Sequence, residues 1–168
     1  MSTAPRQLLG RAERYESIVK GAAQAFARSG FAATSMEDVA AAAGITKLIV
    51  YRHFDSKEEL YRAVLERVSD RLAEEFLGHL NRGERTGVGV RSLLTVARED
   101  PDGFVLLFRH ASREPQFADY AREHTERAVH AARVWLETVF DDAVLAEWAA
   151  QAVVGMNVEA VLAWLEHG

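Results

Sequence analysis

The chain contains no cysteine. Disulfide staples, thiolate zinc sites and cysteine nucleophiles are excluded together, and a thiol-free chain is compatible with a reducing cytoplasm. Proline is scarce, at 3 in 168 residues, while alanine is abundant, so long helices are the default expectation. No strand-like alternation and no internal repeat is visible. No run of ~18 uninterrupted apolar residues occurs, so no membrane span is expected. The most apolar stretch, Ala143 to Leu165, is broken by Glu147, Gln151, Asn157 and Glu159. The start, Met1 to Arg6, lacks the apolar core of a signal peptide. Catalytic signatures are missing too: a Gly-x-Ser-x-Gly elbow, a His-Glu-x-x-His pair and a dinucleotide glycine fingerprint. Glu126 and His130 lie one helical turn apart, the spacing of an ordinary solvated contact. His110, His124 and His130 lack the pairing of helical zinc sites. Neither catalysis, a metal nor a cofactor is expected.

What remains is an apolar fraction of 49%, enough for a sizeable core, and a net charge of −5. The total hides a gradient. Residues 1–57 carry 8 Lys+Arg against 5 Asp+Glu, and residues 58–168 carry 12 against 20. All three lysines, Lys20, Lys47 and Lys57, lie in the first segment. A basic head on an acidic body fits a local contact with a polyanion.

Residues 1–10 read as a fraying arm. From about Ala12 to Ser29, apolar residues recur at Ile18, Ala22, Ala25 and Phe26, which is helical spacing with one buried stripe. Gly30 stops that helix. Thr34 and Ser35 offer cap oxygens for a short helix to about Ala43, with Glu37 three residues after Thr34. Gly44 stops it in turn. Thr46 caps a second short helix to about His53. Ser56 opens a long fourth helix to about Asn81, with Glu59 completing a capping box. Residues 81–89 hold three glycines and read as a loop. Further helices are expected at about 90–99, 101–111, 115–140 and 142–166. Pro101 and Pro115 suit first helical turns, and Asp141 and Asp142 suit a cap.

Residues 36–54 carry the functional signal. A helix-turn-helix needs a small residue where two short helices cross, and Ala40 supplies it. It needs a turn residue that tolerates positive φ, and Gly44 supplies that. Val39, Ile45 and Val50 would form the shared core, covered by Ile18, Ala22 and Phe26. The second short helix then presents Thr46, Lys47, Leu48, Ile49, Tyr51, Arg52 and His53. Tyr51 and Lys57 can reach phosphate, and backbone N–H groups near Ser35 and Thr46 can add to them. Lys47 can reach a guanine edge, while Ile49 or Leu48 can meet a thymine methyl.

Three stretches together resemble the TetR family of bacterial repressors: Thr34-Ser35-Met36-Glu37-Asp38-Val39-Ala40, then Ala43-Gly44-Ile45-Thr46-Lys47, then Tyr51 through Leu60. The upstream Phe26 to Phe31 looks like the end of that family's first helix. The resemblance covers about residues 12–65. It implies an all-α homodimer in the cytoplasm, with a DNA-binding domain at residues 1–57 and a helical effector-binding and dimerisation domain at 58–168. It places DNA contacts on Ser35, Thr46, Lys47, Tyr51, His53 and Lys57. Many relatives carry a small residue where Leu48 stands and a hydroxyl where Ile49 stands, so the base preference is expected to differ. Many also continue with a further helix that shares the dimer interface.

In the body, the last helix carries apolar residues on more than one stripe and is expected to pack on two sides, its own bundle and a partner subunit. Ala149, Ala152 and Gly155 would permit close approach. Candidate effector contacts are Phe76, Leu80, Phe104, Phe108, Tyr120, His124, Trp135 and Asn157, a largely apolar lining with few polar groups. The expected function is a repressor of palindromic operator DNA, released by a small molecule. A helical adaptor that has lost DNA binding is the alternative.

Overall fold

Apolar periodicity becomes helix along the whole of the computed structural model, which describes residues 10–167. The arm expected at residues 1–10 lies almost wholly outside the described residues. No strand occurs among the described residues. The helices are α1 (Arg11–Ala33), α2 (Met36–Ala42), α3 (Lys47–Tyr51), α4 (Lys57–Asn81), α5 (Val88–Glu99), α6 (Pro101–Val105), α7 (Ala118–Leu136) and α8 (Ala143–His167). The chain divides into two compact units, Met1–Val64 and Leu65–Gly168, so the division falls inside α4.

The first unit is built on α1. Its buried stripe is Ile18, Val19, Ala22, Ala23, Ala25 and Phe26. Gly30 breaks the helix with φ 78°, and one further turn follows to Ala33. Thr34 is buried and donates its hydroxyl to the Gly30 and Ala25 carbonyls at 2.7 and 3.2 Å. It therefore seals the end of α1 rather than capping α2. The α2 cap is Ser35. Its Oγ accepts from the Asp38 N–H at 3.2 Å, and the Asp38 carboxylate takes the Ser35 N–H at 2.8 Å. The reciprocal partner is thus Asp38, not Glu37. Tyr61 of α4 meets Phe26 and Phe31 edge-on at 5.0 and 5.2 Å, closing the core.

The α1–α2 approach is closer than small side chains alone allow. A methyl on Gly21 would lie 2.7 Å from the Ala43 nitrogen and 2.8 Å from its Cα. Glycine is required there because backbone fills the space.

In the second unit, α8 packs along α5 and α7. Val129, Leu136, Ala146 and Ala150 form one buried cluster, with Phe140 and Val154 beside it. Asp100 caps α6 by accepting the Gly103 N–H at 3.1 Å and takes Arg67 of α4 at 2.6 Å. Arg71 grips Glu99 through two hydrogen bonds of 2.9 and 3.0 Å. After α6 the backbone widens into a π turn, Leu106–His110, then tightens into a 3-10 turn, Ala111–Arg113. The helix expected at 101–111 is therefore three short pieces. α5 begins two residues before the expected position, with Gly87 as its cap residue. Pro115 precedes α7 rather than opening it, and α7 ends at Leu136, short of the expected 140. Asp142, not Asp141, caps α8, accepting from Val144 N at 2.8 Å.

Within the single chain, α8 buries one stripe. Ala146, Ala150, Val161 and Leu162 are buried, while Val144, Trp148 and Met156 are 79%, 67% and 66% exposed. Its length and composition alone would also suit a membrane crossing, a test that an apolar packing helix passes equally.

Candidate nucleic-acid interface and body cavity

Gly44 makes the turn between α2 and α3. Its φ is 66°, where an L side chain is strained. The Ile45 N–H reaches back to the Ala40 carbonyl at 3.0 Å and the Gly44 N–H to Ala41 at 3.2 Å, a Schellman ending. Val39 and Val50 are fully buried on facing sides of the turn, and Ile45 is half-buried. Their burial orients α3 so that the opposite face looks outward.

On that face Thr46, Lys47, Leu48 and Tyr51 are exposed, and Ile49 is half-buried. Thr46 holds the cap position, but its side chain makes no capping hydrogen bond. α3 is shorter than the expected reach to His53. The Arg52 N–H still bonds back to the Leu48 and Ile49 carbonyls, and the His53 and Phe54 N–H groups both to Val50, so the coil continues one turn further. His53 is half-buried beside the Tyr15 ring, with centroids 6.5 Å apart.

Two of the candidate cations already have protein partners. Lys47 pairs with the Glu37 carboxylate of α2 and lies 5.5 Å from the Tyr51 ring centroid. That hydrogen bond lowers the Glu37 pKa and raises that of Lys47. Lys57 donates to the Phe31 and Ala32 carbonyls at 2.7 and 3.4 Å and sits over the Phe31 ring at 4.5 Å. It thus satisfies carbonyls at the end of α1 from the first residue of α4. Ser35, exposed, spends its hydroxyl proton on Asp38 at 2.6 Å. Glu59 accepts from the Asp55 N–H at 2.7 Å while its own N–H goes to Ser56, so the expected box is shifted by one residue.

The body holds a cavity of about 550 Å³ between the π turn, α7 and α8. Leu107, Phe108, Ala118, Ala121 and Val129 give it an apolar wall, and Arg122, His124, Thr125, His130, Arg133, Glu147 and Gln151 a polar one. Of the eight expected effector contacts, Phe108 and His124 line it. Phe104 is fully buried behind them, 4.6 Å from the Phe108 ring. His124 faces Phe108 edge-on at 5.6 Å, and burial drops its pKa to about 4, helped by Arg127. The imidazole is therefore neutral near pH 7. The other five lie elsewhere. Tyr120 donates to Ser69 of α4 at 3.0 Å, tying α7 to α4. Phe76 and Leu80 are half-buried on α4, Asn157 sits near Gly89 at the start of α5, and Trp135 is 47% exposed.

Residues 18–64 match the family model described as "Bacterial regulatory proteins, tetR family". The chain is 30% identical over 172 residues to the HTH-type transcriptional activator FasR of Mycolicibacterium smegmatis, covering 95% of this chain and 75% of that one. The chain belongs to the TetR family. It is also 32% identical over 93 residues to the HTH-type transcriptional repressor KstR2 of Rhodococcus jostii, covering 55% of this chain and 46% of that one. In fold it is similar to AibR, solved in complex with isovaleryl coenzyme A and operator DNA. The TM-score is 0.68 at 20% identity, over 87% of this chain and 84% of that one.

Like its TetR-family relatives, the chain is a helix-turn-helix transcriptional regulator. Sequence reasoning missed Glu37 as the partner of Lys47, because a pair between two helices leaves no periodic signal, whereas Asp38 three residues after Ser35 was a capping signal that could have been read. It also missed most of the cavity. Ala118, Arg122, Thr125, Val129 and Arg133 do share one face of α7, a pattern that could have been read.

Proposed function

We propose that this TetR-family regulator binds operator DNA as a homodimer and is released by a small effector held in the body. The observation that carries the DNA contact is α3 itself. Burial of Val39 and Val50 turns Thr46, Lys47 and Tyr51 outward on one short helix. Ile49, His53, Ser35 and Lys57 border that row, and Lys57 would reach phosphate by leaving the α1 carbonyls. Residues 1–57 then form the DNA-binding domain and residues 58–168 the effector and dimer domain. Two heads would occupy half-sites of a palindrome roughly 34–36 Å apart.

The exposed apolar face of α8, with Val144, Trp148 and Met156, supports the dimer. Patches of this kind mark interaction surfaces. The effector is small and largely apolar, seated against Phe108 and His124. It acts by binding better to a conformation in which the heads no longer match the half-sites. FasR is named an activator and KstR2 a repressor, and repression by occupancy of the operator is the reading proposed here. No catalytic role and no resident cofactor is proposed.

The test is a gel-shift assay on the promoter DNA beside the protein's own gene, repeated across salt concentrations. Tight binding that weakens steeply with salt supports the reading. No binding, or salt-insensitive binding, would refute it.

A further inference from the structure

We infer that Glu37 is a specificity-determining residue, one that keeps the Lys47 ammonium from pairing with DNA phosphates at random. The inference rests on the DNA-binding reading of α3. Lys47 is the first residue of α3, and its ammonium is held from two sides. The Glu37 carboxylate binds it from α2, and the Tyr51 ring lies one turn along the same helix. Glu37 is free for this task because Asp38, its neighbour, completes the α2 cap.

The pair is exposed, at 46% for Lys47 and 60% for Glu37. Exposed ion pairs add little to stability, so its consequence lies in where the charge is placed. An unpaired lysine on a DNA-facing helix neutralises any phosphate it meets and adds affinity for every sequence alike. Held by Glu37, the ammonium presents its remaining N–H groups along α3. From there it can reach a base edge in a groove that fits, which helps only the matching sequence.

Glu37→Gln keeps the shape and removes the charge. For a random-sequence duplex, freeing Lys47 adds one phosphate contact. The slope of log K against log salt steepens by about 0.9, and affinity near 0.15 M salt rises about fivefold. Operator affinity changes less than about twofold, so the ratio of operator to random binding falls. In the double variant Glu37→Gln with Lys47→Met, random-DNA affinity returns to that of Lys47→Met alone. Thermal melts of each full-length variant check that folding is unchanged. An unchanged slope and ratio would overturn the inference, as would an equal rise for operator and random DNA. If the wild-type chain binds neither duplex, the DNA-binding reading itself has failed, and that shows before any variant is compared.

Discussion

Gly21→Ala turns the α1–α2 contact into a question of sign. In an ordinary helix interior this change stabilises by roughly 1 kcal/mol, because alanine restricts the unfolded chain. Here the new methyl would sit 2.7–2.8 Å from the nitrogen, Cα and Cβ of Ala43. Carbon pairs prefer about 3.5–4.0 Å, so the neighbours must retreat by most of an ångström. Those neighbours are backbone just ahead of the Gly44 turn and cannot swing aside as a side chain could. Overpacking of this kind costs about 1–3 kcal/mol, so strain wins by about 1 kcal/mol. In a unit of this size that lowers Tm by about 4–8 °C. Calorimetry or a circular-dichroism melt reads it. Operator affinity should fall as well, since the displaced segment carries α3. Gly78→Ala is the control. Its methyl would meet only the tip of the Arg82 side chain, at 3.4 Å, and should stabilise. A Gly21→Ala protein as stable as wild type, with wild-type DNA affinity, would refute the argument.

Three further outcomes follow from the body. His124, folded, titrates near pH 4 against an ordinary value of 6.5, so the unfolded chain takes the proton first. Its stabilising effect is complete above pH 6.5 and fades toward pH 4, by roughly 3 kcal/mol. Urea unfolding of wild type and His124→Gln across that range should converge on acidification, and parallel profiles would contradict this. Asp100→Ala removes the α6 cap and the partner of Arg67 together and should cost about 3 kcal/mol in the same assay. A loss below about 0.5 kcal/mol would count against this buried pairing. Trp148→Glu places a charge on the exposed face of α8. Light scattering should show a dimer for wild type and a monomer for the variant, with wild-type helix content retained.

The head was legible because its rules are local. Gly30 and Gly44 mark stops, Ser35 marks a start, and apolar spacing from Ile18 to Phe26 marks the buried stripe. The structure keeps all of these; it ends α3 at Tyr51 rather than His53, places the tightest approach at Gly21, and changes hydrogen-bond partners, with Asp38 in place of Glu37 and the Thr34 hydroxyl turned back onto α1. The body was less legible. Phe76 and Leu80 on α4, Tyr120, His124 and Trp135 on α7 and Asn157 on α8 all read as possible lining. Which of them meet a cavity depends on how long helices cross, and a periodic pattern does not encode that. Trp135 illustrates the limit: a large aromatic residue, apolar in character, left 47% exposed at the end of α7.

The π turn at Leu106–His110 closes through the Ala111 N–H onto the Leu106 carbonyl, so it holds one residue more than an α turn. Deleting a single residue there would restore the narrower turn, leaving the flanking segments in place and changing which side chains the turn itself presents. Leu107 and Phe108 within that turn and Ser112 just after it all line the cavity. One codon lost there would therefore redraw part of the cavity wall in a single step.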